Sequence, residues 1–154
     1  MLVDDEPGIR DQGKIFLEKF DPDFEVTSVS SAILGMEKLF EEDFDIVISD
    51  YQMPEVNGIE FLEKMRGEGV QIPFIMFTGR GREEVAMKAL NMGAQRYIKK
   101  GGGLKSQYWI LGDAIKQEVT HFCVKNDLRE KKRRYESFFK TIKDCAFITS
   151  KDGR

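Results

Sequence analysis

The fold is decided by one stretch of the chain, FDIVISDYQMPEVNG at positions 44–58. Its first half is an apolar run rich in β-branched residues, which is typical of a short strand buried on both faces inside a parallel sheet. The run ends at Asp50. Turn-forming residues follow at Pro54, Asn57 and Gly58. The sequence therefore predicts a carboxylate at the carboxyl end of a core strand, where open α/β sheets bind their ligands.

Two further apolar runs end in polar side chains. The first, at positions 1–3, leads into Asp4 and Asp5, and the second, at positions 74–77, leads into Thr78. If both runs are parallel neighbours of the central strand, these polar groups share one edge of the sheet with its carboxylate. Crowded carboxylates raise one another's pKa unless a cation lies among them. Mg²⁺, which takes oxygen ligands from one or two carboxylates and from phosphate, suits such an edge.

The first 122 residues alternate between strand and helix patterns. Beyond the three runs above, strands are predicted at 24–29, on a sheet edge, and at 95–100. Helices are predicted at 7–20, after Ser31 as an N-cap, at 58–67, at 82–92 and from about 106 onwards. Apolar stripes on the first two helices include Ile9, Ile15, Phe16 and Phe20, then Ile33, Leu34, Met36, Leu39 and Phe40.

This alternation predicts an α/β fold, because repeated β–α units form a parallel sheet covered on both faces through right-handed crossovers. The expected arrangement is a doubly wound, flavodoxin-like sheet of five strands in the order 2-1-3-4-5, with a helical extension at its C-terminal end. In that order strands 1 and 3 are neighbours at the switch point. The topology and the carboxylates thus predict the same site.

Bulk composition excludes several classes of protein. The chain has 154 residues and a net charge of −3, which gives no electrostatic basis for direct nucleic-acid binding by the chain as a whole. It has no apolar run of the roughly 20 residues that cross a bilayer and no signal-peptide pattern. Cys123 and Cys145 belong to no CxxC motif. We expect reduced thiols in a cytoplasmic protein without membrane partners.

Together these motifs resemble the receiver domain of two-component response regulators, which has a CheY-like fold. The resemblance covers about residues 1–122. It rests on the following elements in chain order: the pair Asp4-Asp5, then Asp50, then Met53-Pro54 with Asn57-Gly58, then Thr78-Gly79, and then Lys100. Each element is common by itself, but the set at this spacing is specific.

The resemblance implies a phosphorelay role. Asp50 would accept a phosphoryl group from the phosphohistidine of a sensor histidine kinase or a phosphotransfer protein. Mg²⁺ would be held by Asp4, Asp5, Asp50 and the backbone carbonyl of Gln52. The domain would have no enzymatic activity beyond magnesium-dependent self-phosphorylation and slow self-dephosphorylation. Because a metaphosphate-like transition state needs positioning and charge neutralisation, this residue set agrees with the chemistry.

Further roles are implied for residues around the phosphoacceptor. Thr78 and Lys100 would contact the phosphoryl group, and Thr78 and Tyr97 would form a conformational switch. Gln52 and Arg80 occupy the positions that tune phosphoryl lifetime in the family.

Two details of the strand 5 region depart from a simple match. Lys99 competes with Lys100 for the role of the conserved cation, and counting from Tyr97 in the family pattern selects Lys100. The family usually has a cis proline after this lysine, whereas Gly101 stands here. A cis bond without proline costs about 2.5–4 kcal/mol, so we expect a trans peptide.

The C-terminal part changes in composition. We divide the chain into a receiver domain at 1–122, a linker helix at 123–143, and a segment at 144–154 that resembles the start of a PAS sensory domain. That resemblance implies a first strand followed by a turn at Asp152-Gly153. We therefore expect a chain that continues beyond both ends in the full protein, a hybrid or atypical sensor kinase whose PAS region receives the signal.

The linker also carries an interaction hypothesis. Leu128, Tyr135 and Ile142 are spaced seven residues apart, which suggests homodimerisation through this helix or through the face formed by the fourth and fifth helices. The basic run at 131–134 fits the solvated face of a helix better than a nucleic-acid patch.

Three alternatives remain open. A haloacid-dehalogenase-type phosphatase also uses an Asp after a strand, but it needs a second Asp where Gln52 stands. A flavodoxin-like flavin site needs a phosphate loop after strand 1, where Asp4 and Asp5 would repel phosphate. A receiver-like binding module that works without phosphorylation is disfavoured by the intact acidic pair and Lys100.

Overall fold

The computed structural model describes residues 1–79 and 82–151, with side chains described as far as Cys145. The chain divides into two units, Met1–Val119 and Thr120–Arg154. The first unit contains a five-stranded sheet with its covering helices. The second unit is, as far as it is described, the continuation of the last helix.

Strands and helices alternate along the first unit, as predicted. The strands are β1 (Leu2–Val3), β2 (Ser28–Val29), β3 (Val47–Ser49), β4 (Phe74–Thr78) and β5 (Arg96–Lys99). The helices are α1 (Pro7–Phe20), α2 (Ala32–Glu41), α3 (Gly58–Gly67), α4 (Glu83–Asn91) and α5 (Leu104–Lys151). All strand pairs are parallel and the order is β2-β1-β3-β4-β5, which confirms the predicted fold class.

Successive residues of the central strands alternate between two buried cores, because side chains in a strand point to opposite faces. On one face Val47, Phe74 and Met76 pack against side chains from α3, including Phe61. On the other face Ile48, Ile75 and Phe77 pack against side chains from α1 and α5, including Tyr108 and Leu111. Burial on both faces explains why these strands consist of continuous apolar runs.

The edge strand and the helix stripes differ from the prediction. Only Ser28 and Val29 of the predicted strand 24–29 pair with β1, because β1 itself offers only two residues for pairing. In α1 the buried residues are Gly13 and Leu17, whereas Ile15 is 62% exposed. A Cβ at position 13 would lie 2.5 Å from Leu2 Cδ2, so the helix approaches the sheet closely at its glycine. Phe16 of the predicted stripe packs partly buried against the same core.

Helix α2 shows the same deviation. Ser31 caps it as predicted, since its hydroxyl oxygen accepts a hydrogen bond from the Leu34 amide at 3.2 Å. Its buried residues are Ala32 and Gly35, while the predicted stripe residues Ile33, Leu34 and Phe40 are exposed. Small residues therefore face the core here because the helix packs close to Phe61.

The loop after β3 is closed by the start of α3. The Asn57 side chain accepts hydrogen bonds from the Ile59 and Glu60 amides, and the Glu60 carboxylate accepts one from the Asn57 amide at 2.9 Å, which forms a capping box. The Gly58 amide donates to the Tyr51 carbonyl at 2.9 Å. This bond folds the loop back onto the end of β3 and fixes the direction in which Asp50 leaves the strand.

The C-terminal segment differs from the prediction of a strand after position 144. Helix α5 continues through Lys151, so the expected first strand after position 144 is helical. The helix pairs the backbone groups of this segment within the segment itself. The predicted turn at Asp152-Gly153 lies outside the described residues.

We predict that Gly58→Ala destabilises the domain. An added Cβ would lie under 3.0 Å from the Asp50 carbonyl oxygen, 3.0 Å from Met76 Sδ and 3.1 Å from Tyr51 Cα. Relieving that clash requires the loop to move, so the free energy of unfolding in urea should fall by about 1–3 kcal/mol. Gly67→Ala in the same helix meets no atom within 4 Å and is the control. Equal stability of the two variants would contradict this close packing.

Candidate functional site

The carboxyl ends of four neighbouring strands bring the predicted site residues together. The register pairs Val3 with Ser49 and Thr78 with Lys99. Because parallel strands in register end at one level, Asp4, Asp50 and Lys100, each following its strand, meet at the same edge of the sheet. Asp4, Asp50 and Thr78 are all buried.

The centre of the site is an ion-paired cluster of one ammonium group and two carboxylates. Lys100 Nζ lies 2.5 Å from Asp4 Oδ2 and 3.2 Å from Asp50 Oδ1. The Lys100 side chain is only 12% exposed. This largely buried ammonium group lies between two carboxylates and neutralises part of their repulsion. It is the cation that the crowded acidic edge requires. Lys100, not Lys99, therefore faces the acidic residues.

The remaining carboxylate oxygens are held by the backbone. The Glu6 amide donates to Asp4 Oδ1 at 3.0 Å, and the Gln52 amide donates to Asp50 Oδ2 at 3.1 Å. Each carboxylate is thus fixed by one backbone amide and by the shared ammonium group. Charge-assisted hydrogen bonds of this kind are stronger than neutral ones, so both side chains are oriented before any ligand binds.

The electrostatic balance at Asp4 still disfavours its charge. Burial raises the pKa of the Asp4 carboxyl above its ordinary value; the hydrogen bond and charge of Lys100 oppose this shift, and the charge of Asp50 adds to it. The net result is a raised pKa. The burial of Asp4 therefore outweighs its contacts with the Lys100 ammonium group.

An open pocket of about 420 Å³ lies over this cluster. Its lining residues are Asp5, Glu6, Asp50, Gln52, Thr78, Gly79 and Lys100. Within the described ranges, no three acidic, histidine or cysteine side chains form a complete metal-binding group. Asp5 and Asp50 nevertheless face the same cavity, beside one cation and one hydroxyl. The pocket can accept a small anion such as a phosphoryl group next to the Asp50 carboxylate.

Tyr97 lies in β5, three residues before Lys100 of the cluster. It pairs with Met76 across β4 and β5, and its ring packs partly against the α3 side core. Its hydroxyl is buried and has no hydrogen-bond partner among the described residues. Burial raises the pKa of the Tyr97 phenol, and the charges of Asp50 and Tyr51 add to the shift. A buried hydroxyl without a hydrogen-bond partner has a free-energy cost of about 1–3 kcal/mol.

The other predicted residues are placed as follows. Gln52 contacts Asp50 through its backbone amide while its side chain is exposed. Arg80 lies outside the described residues. The peptide between Lys100 and Gly101 is trans, and Gly101 has a φ of 154°, which favours glycine.

Sequence reasoning missed two contributors to the site. Glu6 supplies the amide that holds Asp4, and Arg10 Nη1 donates to the Asp4 carbonyl oxygen at 2.6 Å. The helical pattern of α1 does not predict the contact between Arg10 and Asp4, because this contact depends on the geometry with which the chain enters the helix. The acidic run at 4–6 gives no signal for the Glu6 contact, because it is made by the backbone amide and not by the acidic side chain.

Comparison with known proteins agrees with this geometry. The sequence model of the response regulator receiver domain matches residues 1–106, well over half of the chain. The chain belongs to this family. Its place in two-component signalling, as a receiver domain, follows from that membership. The phosphatase and flavin-site alternatives have no such support.

Individual relatives point the same way. The response regulator SaeR of Staphylococcus epidermidis is 38% identical over 102 residues, which are 65% of this chain and 42% of SaeR. SaeR of Staphylococcus aureus is 35% identical over the same length. The receiver domain described here thus matches less than half the length of these curated relatives.

Solved structures share the fold. A response regulator receiver domain from Clostridium thermocellum superposes with a TM-score of 0.70 at 27% identity, covering 80% of this chain and 94% of that one. The response regulator domain of Thermotoga maritima CheB gives a TM-score of 0.69 at 27% identity, covering 77% of this chain and 93% of its own. As for membranes, the described helices include none that is long and apolar enough to span a bilayer.

We predict that Asp4→Asn stabilises the receiver domain at neutral pH. The amide keeps an oxygen for the Glu6 amide but carries no charge, whereas a raised folded-state pKa means that ionised Asp4 opposes folding. The stabilising effect of a protonated Asp4 is present in the wild type below the ordinary carboxyl pKa and is lost as pH rises through the folded-state pKa. The gain at pH 7 should be of the order of 1 kcal/mol.

Urea unfolding of both proteins at several pH values measures this effect. The difference should shrink as the pH falls through the pKa of Asp4. Asp11→Asn on the exposed side of α1 is the control and should change little. A destabilised Asp4→Asn protein at pH 7 would show that the ion pair with Lys100 outweighs the burial of Asp4.

Proposed function

We propose that this receiver domain accepts a phosphoryl group on Asp50 from the phosphohistidine of a sensor histidine kinase or a phosphotransfer protein. The observation that supports this most strongly is the Lys100 ammonium group placed between Asp4 and Asp50 at the base of an open pocket. A buried nucleophilic carboxylate, an adjacent cation and a nearby hydroxyl are the groups that phosphoryl transfer needs.

The transfer breaks one bond and forms another. A carboxylate oxygen of Asp50 attacks the phosphorus atom, the bond from phosphorus to the histidine nitrogen breaks, and the electron pair of that bond returns to the imidazole. The backbone amide of Gln52 holds one Asp50 oxygen during the approach. Lys100 and Thr78 line the pocket, where an ammonium group and a hydroxyl neutralise charge on the phosphoryl oxygens.

The donor set of the pocket fits magnesium. Mg²⁺ keeps several waters and uses one or two carboxylates with phosphate oxygens, so it needs no complete cage of side chains. Asp4, Asp5, Asp50 and the backbone carbonyl of Gln52 would hold it, with Asp4 acting directly or through water. When bound, the ion neutralises negative charge on the carboxylates and on the phosphoryl group.

Phosphorylation would shift a switch formed by Thr78 and Tyr97. A phosphoryl group brings about −1.5 to −2 charges and new acceptor oxygens to Asp50. The Thr78 hydroxyl would turn toward it, and the unpartnered Tyr97 hydroxyl would repack on the neighbouring strand. Because the change repacks one side of the sheet, it is a shift between two populations rather than a new fold.

Other parts of the proposal concern lifetime and output. Gln52 and Arg80 would tune hydrolysis of the acyl phosphate. The receiver domain itself would be limited to magnesium-dependent self-phosphorylation and slow self-dephosphorylation. The signal would pass through α4, β5 and α5 to an effector region on the C-terminal side, a PAS region in a hybrid or atypical histidine kinase.

Intact mass after incubation with acetyl phosphate tests this function. With magnesium we expect one phosphoryl adduct on the wild type and none on Asp50→Asn. Chelating the metal should remove the adduct. Because Lys100 supplies charge in the transition state, Lys100→Met should form the adduct about 100-fold more slowly.

Two controls make the result decisive. Lys99→Met changes the neighbouring lysine, which faces away from the acidic residues, and should react like the wild type. Circular dichroism of each variant shows whether the fold is intact. An adduct on folded Asp50→Asn would move the phosphoacceptor to another residue. No adduct on the wild type, even with several small phosphodonors, would move the assignment to a binding module that works without phosphorylation.

A further inference from the structure

The second unit of the chain carries an apolar seam along one helix. Helix α5 is continuous through the segment where a strand was expected, so the spacing of seven extends further than the sequence alone indicated. Assigning Leu128 to heptad position a gives a seam from His121 to Cys145, about three and a half heptads. Its a positions are His121, Leu128, Tyr135 and Ile142, and its d positions are Val124, Lys131, Phe138 and Cys145.

The apolar members of this seam are exposed. Val124 is 53% exposed, Leu128 62%, Tyr135 66%, Phe138 62% and Ile142 46%. A row of large apolar side chains at a and d positions, left open to water over several turns, is the pattern by which one helix packs against another. Its period of seven, rather than 3.6, specifies a supercoiled helical partner.

We propose that this seam pairs with the same seam of a second copy of the chain, as a parallel two-stranded coiled coil. The charged residues beside the seam favour a second copy of the chain as the partner, with the two helices parallel. In a parallel pair, each g position faces the e position five residues later in the partner. Asp127 occupies g and Lys132 occupies e, so two attractive pairs form between the helices. Arg134 at g likewise faces the Phe139 ring at e, where a cation–π contact is possible.

The antiparallel alternative brings like charges together. In the antiparallel register that aligns every layer, His121 lies opposite Cys145 of the other helix. That register places Lys132 opposite Lys132 and Arg134 opposite Arg134, and it leaves Asp127 opposite Thr141. The parallel arrangement is therefore electrostatically preferred, although it contains one unfavourable layer of two Lys131 side chains.

The lysine layer sets the strength of the association. A charged residue at one core position lowers the stability of a coiled coil while fixing its register. The dimer should thus be reversible, and Lys131→Leu should tighten it. The interaction does not depend on phosphorylation of Asp50, so the same dimer should form in Asp50→Asn.

The native cysteines report the arrangement directly. Cys145 occupies a d position and Cys123 occupies an outward c position, and both are exposed. In the parallel register the two Cys145 side chains lie in one core layer, close enough to be joined. In the antiparallel register they are about 36 Å apart, at a rise of 1.5 Å per residue. Treating the full chain with copper phenanthroline, which accepts the two electrons released, should give disulfide-linked dimers.

The expected pattern separates the two cysteines. Cross-linked dimers should persist in Cys123→Ser and be lost in Cys145→Ser. Dimers that depend on Cys123, or an absence of cross-linking through Cys145, would overturn the parallel register.

Sedimentation equilibrium of the full chain tests dimerisation through the seam without chemical cross-linking. Tyr135→Glu buries two charges in an apolar layer and should weaken dimerisation about tenfold or more. Ser137→Glu introduces the same side chain at an outward position and should leave the dissociation constant nearly unchanged. A monomeric wild type, or a dimer that is insensitive to Tyr135→Glu, would overturn the proposal, and neither outcome would bear on Asp50 as the phosphoacceptor.

Discussion

The Lys100 ammonium group is shared between two carboxylates that come from different strands, and the rest of the site depends on this arrangement. Asp4 follows β1, Asp50 follows β3 and Lys100 follows β5. Without the cation, two buried acidic groups would repel each other at the switch point of the sheet. With it, both carboxylates are held close to one shared ammonium group, while burial keeps the pKa of Asp4 above its ordinary value.

The fold supplies this geometry through small residues and backbone contacts. Gly58 lets α3 begin against the carbonyl of Asp50, and the Gln52 amide then reaches the Asp50 carboxylate. Continuous apolar strands bury both faces of the sheet, so the charged groups meet only at its edge. Rigid packing below the pocket and partial exposure above it suit a reaction in which positioning matters more than covalent help.

Much of the fold and the placement of the site were predictable from the sequence. The strand order followed from the β–α alternation, and the meeting of Asp4, Asp50 and Lys100 followed from the positions at which apolar runs end. Which residues of α1 face the core was not predictable, because Gly13 is buried through a close approach to Leu2 that a hydrophobic stripe does not report. The contact of Arg10 with Asp4 depends in the same way on tertiary geometry.

The C-terminal segment shows a different limit. Its Asp-Gly pair resembles a PAS domain start, but a local pattern of this length does not decide between strand and helix. The structure continues α5 through Lys151. The elements of the receiver domain were predictable because they support one another within a single sheet.

Chemical mapping of the phosphorylated residue tests the central claim most directly. After reaction with acetyl phosphate and magnesium, borohydride reduces an acyl phosphate on aspartate to the alcohol of homoserine, which peptide mass spectrometry locates. The account predicts homoserine at position 50 and at no other acidic residue. Homoserine at position 4 or 5 with none at position 50 would contradict it, because the carboxylate fixed by Lys100 and the Gln52 amide would then not be the nucleophile.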